Sequence, residues 1–80
     1  MLDTVHTWAQ PVTIRLDGVE HVVSSPVQAR HVLLVEWPGE RTDKHKAASQ
    51  ACLAAMEGAN PEPAWTAFID ATIEAGIFVK

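Results

Sequence analysis

The chain is short of cysteine, of basic residues and of long apolar runs, and each shortage closes off a class of protein. Cys52 is the only cysteine in 80 residues, so no internal disulfide can form and the small size is not offset by a covalent framework. That usage fits a reducing cytoplasm. Six Lys and Arg against ten Asp and Glu leave a formal charge of −4, whereas binding to a phosphate backbone draws on clustered cations. Nucleic acid is therefore a poor candidate partner. No apolar stretch approaches the roughly 20 residues that span a bilayer, and Met1-Leu2-Asp3 lacks the basic start and apolar run of a signal peptide. The sequence reads as an unexported, cytoplasmic protein with no membrane partner.

What remains is the balance of an ordinary globular chain, 48% hydrophobic and 20% charged, rather than a disordered or fibrous one. A core built from so few residues supplies only about 3–5 kcal/mol of net stability. One domain over residues 1–80 is expected, with residues 1–10, which carry no clear period, as a loosely ordered start.

Patterned sequence begins at Pro11. Val12, Thr13, Ile14, Arg15 and Leu16 alternate as a strand with one wet face, and Asp17-Gly18 is a strong signal for a two-residue hairpin turn with both φ angles positive. Closing there sets Leu16 opposite Val19, Ile14 opposite His21, Val12 opposite Val23, and Arg15 opposite Glu20, an opposite-charge pair. The same register puts His21 on the apolar side, where it needs a hydrogen-bond partner or a place at the sheet margin.

Helix punctuation follows. Ser25-Pro26 opens a helix over Val27 to about Glu36, with Gln28 completing a capping box, and Pro38-Gly39 stops it. Thr42 or Asp43 starts a second, whose Ala47, Ala48, Ala51, Cys52 and Ala55 form a small-residue face closed by Gly58. Asn60-Pro61 starts a third that reaches Ala75, with Ala64, Trp65, Phe68, Ile69, Thr72 and Ile73 as its core stripe and Gly76 as its end. Ile77-Phe78-Val79 is rich in strand formers and is expected to rejoin the sheet. The expected fold is α+β in the order β-β-α-α-α-β, a three-stranded sheet made of the N-terminal hairpin and a short C-terminal strand, packed by helices.

Val12, Ser24-Ser25, Trp37-Pro38, Ala51-Cys52 with Gly58, and the run from Ala67-Phe68-Ile69 to Glu74-Ala75-Gly76-Ile77 stand in an order that resembles the domain-of-unknown-function family 982, a family of short bacterial proteins. The resemblance covers residues from about 8 to 79. It implies a small α+β fold with a β-hairpin, helices and a final strand, and no established activity, cofactor or catalytic residue. A basic residue often follows the alanine that opens the third helix of that family; here Trp65 follows Ala64, so no charge role carries over.

No reaction is specified by the residues themselves. His6, His21, His31, His45 and Cys52 are the only set large enough for zinc, but they lack the two close ligand pairs of a structural site. His45 and Cys52 would stand two helical turns apart, roughly 10 Å. Neither a metal nor a cofactor is expected. Cys52, on an alanine face, reads as a packed thiol rather than a nucleophile. Glu62, Asp70 and Glu74 form a cation-free face on the third helix. Arg41, Lys44 and Lys46 gather at the start of the second, where the helix dipole disfavours cations. Trp8 and Trp37 look like closures of a small core or anchors for a partner. The leading expectation is a non-catalytic protein-interaction or self-association module, a homodimer included. Its candidate surface is Trp8, Trp37, Arg41, Lys44, Lys46, Glu62, Asp70 and Glu74. A ligand pocket or minor active site near Cys52 or His21 is the alternative, and nucleic-acid binding through the Arg41–Lys46 cluster a weaker one.

Overall fold

A computed structural model describes residues 8–80. The hairpin forms as its turn dictates: Asp17 and Gly18 take φ of 52° and 80°, and β1 (Val12–Leu16) pairs antiparallel with β2 (Val19–Val23) in the expected register. Arg15 and Glu20 face each other at 2.9 Å.

The expected third strand does not form among the described residues. A two-residue turn closes on a hydrogen-bonded pair, so Leu16, Ile14 and Val12 bond to β2 and the amides of Thr13 and Arg15 point to the other edge of β1. The C-terminal residues come to that edge: Arg15 N donates to Ile77 O and Thr13 N to Lys80 O, both at 2.8 Å. However, Val79 N and Lys80 N both donate to Thr13 O, at 2.9 and 3.3 Å. Two residues then oppose one, which is a bulge, and a bulge breaks the alternation a ladder needs. A single antiparallel bridge, Ile14 to Phe78, survives. The described sheet has two strands, and the element order is β-β-α-α-α without a final strand.

Three helices follow: α1 (Pro26–Val35), α2 (Asp43–Met56) and α3 (Glu62–Ala75). Ser25 caps α1 by accepting from Gln28 N, but the Gln28 side chain reaches one residue further back than a capping box requires, accepting from Ser24 N at 2.7 Å. Thr42 caps α2. At α3 the capping oxygen is Asn60 Oδ1, 3.0 Å from Glu62 N, and Gly76 ends the helix at φ 76°. Helix α2 lies between α1 and α3, packed against both. Its buried face is His45, Ala48, Cys52 and Ala55, mostly small side chains, which let helices approach closely.

The core takes Val12, Ile14 and Leu16 from β1 but only Val23 from β2. On α3 the buried face is Ala64, Phe68, Ala71 and Thr72, while Ile73 is 56% exposed. The apolar stripe of α3 is wider than its neighbours can cover, and the helix is turned so that Ala71 rather than Ile73 points inward. Trp8 is buried as well. Of the residues expected to be loosely ordered, residues 1–7 lie outside the described part of the chain.

Candidate interaction surface

The turns between helices decide the fate of half the candidate residues. The last carbonyls of a helix have no intrahelical donors, and at the end of α1 two side chains supply them. Arg41 Nη2 donates to Leu34 O at 2.9 Å. His45 Nε2 lies 2.7 Å from Leu33 O; a carbonyl only accepts, so Nε2 carries the hydrogen. The imidazole is buried, its Nδ1 has no hydrogen-bond partner among the described residues, and the Trp37 indole stands edge-on to it with ring centroids 5.1 Å apart. One turn back from His45, the Thr42 hydroxyl accepts from His45 N and donates to the Glu74 carboxylate. Arg41 and His45 thus join α2 to α1, and Glu74 joins α3 to the start of α2.

His45 was not singled out by sequence for this role. Its signal was present: His45, Ala48, Cys52 and Ala55 follow one another at three- and four-residue spacing, the inner stripe of a helix. His45→Ala is expected to cost about 1–3 kcal/mol, because it leaves the buried Leu33 carbonyl without its donor. An unchanged urea midpoint would show that the carbonyl is satisfied otherwise.

Trp8 is 5% exposed; its Nε1 donates to Pro61 O at 3.1 Å and its ring lies 5.8 Å from that of Phe68. It is enclosed rather than presented. Trp65 Nε1 in turn donates to Gln10 O at 2.8 Å, so the two indoles cross between the segment before β1 and the start of α3. A groove there is lined by both rings with Asn60, Pro61 and Glu62. Trp37 is half-buried. Lys44, Lys46, Glu62 and Asp70 are exposed, and among the described residues none of them forms an ion pair.

The chemistry-capable residues stay apart. His21 and His31 are exposed, His6 lies outside the described residues, and no group of three or more His, Cys, Asp and Glu among the described residues could hold a metal ion. Cys52 is fully buried; desolvation pushes its thiol up to about 12, with Arg30 partly opposing the shift. It therefore stays protonated at neutral pH and lines none of the three grooves described. Two predictions follow from that thiol. It should resist a thiol reagent until urea unfolds the chain, whereas rapid labelling of the native protein would place it at the surface. Its folded value also lies above the unfolded one near 9.0, so the folded state holds the proton more tightly. Its contribution to stability is intact below pH ~9 and falls as pH rises toward ~12. Alkaline urea titrations of the native chain and of Cys52→Ala should diverge in that direction.

His21 lies on the core-facing side of β2 but clear of the helices. Two grooves flank it. One runs from Leu16 and Val19 to Val35 and Trp37, the other from Val22 and Val23 to Val27 and His31. Exposed valines border both: Val19, Val22, Val27 and Val35.

The sequence profile described as Protein of unknown function (DUF982) matches residues 10–79, nearly the whole chain. The chain belongs to that family. No curated protein and no solved structure matches it. Membership of DUF982 agrees with the residues that suggested it and brings no activity with it. Among the described residues no helix is long and apolar enough to cross a membrane.

Proposed function

We propose that this DUF982 chain works as a non-catalytic protein-interaction or self-association module. The observation that carries this reading is the strip of exposed valines along β2 and α1, Val19, Val22, Val27 and Val35. Val19 and Val35 border one groove beside His21, and Val22 and Val27 border the other; exposed apolar side chains gathered along grooves of a small domain mark a contact site. Lys44, Lys46, Glu62 and Asp70, exposed on α2 and α3, add charged ground to which a partner of mixed charge can be steered. Arg41, Glu74 and Trp8 are left out of this surface, since their side chains are engaged within the fold.

The test combines sedimentation of the purified chain with capture from a host lysate, using the native chain and a Val19→Lys/Val35→Lys variant that leaves the core untouched. Self-association, or retention of a protein that the variant loses, is the expected result. A monomer at every concentration that retains nothing sensitive to the variant would overturn the reading.

A further inference from the structure

Among the described residues nothing pairs with the outer edge of β2. Because Leu16 and Val19 close the turn as a hydrogen-bonded pair, Val19, His21 and Val23 direct their backbone groups at β1, while Glu20 and Val22 direct theirs outward. The next outward residue, Ser24, is already engaged. Its N–H donates to Gln28 Oε1 at 2.7 Å and its carbonyl accepts from Trp8 N at 2.8 Å. The open edge is therefore short, and its midpoint is His21.

The strand reads Val19-Glu20-His21-Val22-Val23, with a valine at each end about that midpoint. We propose that β2 pairs antiparallel with β2 of a second copy of this chain, in the register that sets His21 against the partner's His21. This is the self-association form of the function proposed above and rests on it. A two-fold axis through His21 brings Glu20 opposite the partner's Val22 and Val19 opposite the partner's Val23. The outward N–H and C=O groups of Glu20 and Val22 then all find partners, which is the self-complementarity a two-fold interface demands.

Other registers fail on specific residues. Centring on Val22 would require the N–H and C=O of Ser24, which are occupied. Centring on Glu20 would set two carboxylates face to face, a destabilising pair. A slip of a single residue would turn the partner's inner side, with its Val19 and Val23, to the opposite face of the sheet. In the His21 register no two carboxylates of β2 oppose one another, and the Glu20 carboxylate is held by Arg15 of its own chain at 2.9 Å. A strand this short falls below the roughly 800 Å² per partner of a stable interface. The exposed valines of α1, Val27 at 51% and Val35 at 66%, border the grooves beside β2 and extend the surface on the same side.

Sedimentation velocity across a wide concentration range, joined to hydrogen exchange at the Glu20 and Val22 amides, tests this. Expected is a dimer in which both amides become protected as concentration rises. Val22→Pro removes a donor with no partner among the described residues, at an edge position where proline is tolerated, and should weaken pairing on the order of 10- to 100-fold. Val22→Lys, a typical edge-blunting change at a position 63% exposed, serves if proline disturbs the hairpin.

Three results would overturn the proposal, each with a different meaning. A dimer undiminished in both variants would put self-association on another surface. Protection of both amides in a monomer would mean that the chain's own residues 1–7 lie along the edge. A native chain that never dimerises but still loses a captured partner in Val19→Lys/Val35→Lys would keep the interaction function and reject the second copy.

Discussion

Phe68→Ala should leave the protein largely unfolded at room temperature. Phe68 is the largest fully buried side chain and is 0% exposed. On α3 it sits among Ala64, Ala71 and Thr72, with the Trp8 ring beside it. Truncating a buried phenylalanine costs about 3–5 kcal/mol, from lost transfer free energy and the cavity left behind. A domain of this length has about that much in total. Far-UV circular dichroism with a urea titration would show a flat or strongly shifted transition. Ile73→Ala provides the internal contrast. Ile73 belongs to the stripe that sequence alone would bury, yet it is 56% exposed, so its truncation should move stability by less than about 0.5 kcal/mol. Similar losses from both would mean that α3 is turned toward Ile73, with the stripe as spacing alone would set it.

Local chemistry made most of the fold readable. Asp17-Gly18 fixes its own turn, and the turn fixes the pairing of Arg15 with Glu20. Ser25, Thr42 and Gly76 mark helix ends because a cap acts within a few residues of itself. The misreadings occur where distant segments meet. Ile77-Phe78-Val79 has strand composition, but the bulge opposite Thr13 depends on how the chain arrives after Gly76, which no local pattern encodes. His21 alternates onto the inner side as expected, yet whether anything covers that side is decided by where α1 lies. Arg41 and Glu74 look like free surface charges in sequence, and become parts of helix joints because α1 ends beside Arg41 and α3 brings Glu74 to Thr42. The four charged candidates that stay unpaired among the described residues, Lys44, Lys46, Glu62 and Asp70, had no partner in reach along the sequence. The exposed valines on β2 and α1 were missed for the same reason: the hairpin register puts Val19 on the apolar side, and only the packing shows it 57% exposed.

Trp8→Ala should approach Phe68→Ala in effect, with a loss of about 3–5 kcal/mol. Composition alone leaves Trp8 ambiguous between a partner anchor and a core closure, and the two roles separate cleanly by experiment. A partner anchor could be removed with no change in melting but with loss of binding. An enclosed ring with a bonded indole cannot. Trp8→Phe refines the point, because it keeps a ring against Phe68 while removing the donor to Pro61 O and part of the buried indole, which should cost about 1–3 kcal/mol. The half-buried Trp65 makes the converse bond, from α3 back to Gln10, so each indole fixes the segment that the other one donates to. Removing either loosens the target of the second, and the combined loss in Trp8→Phe/Trp65→Phe should differ from the sum of the single losses by about 0.5 kcal/mol or more, the coupling expected of side chains sharing one joint. Strict additivity would show that the two bonds form independently. The segment before β1 would then be held by the Trp8 ring and by its backbone bond to Ser24, without help from the start of α3.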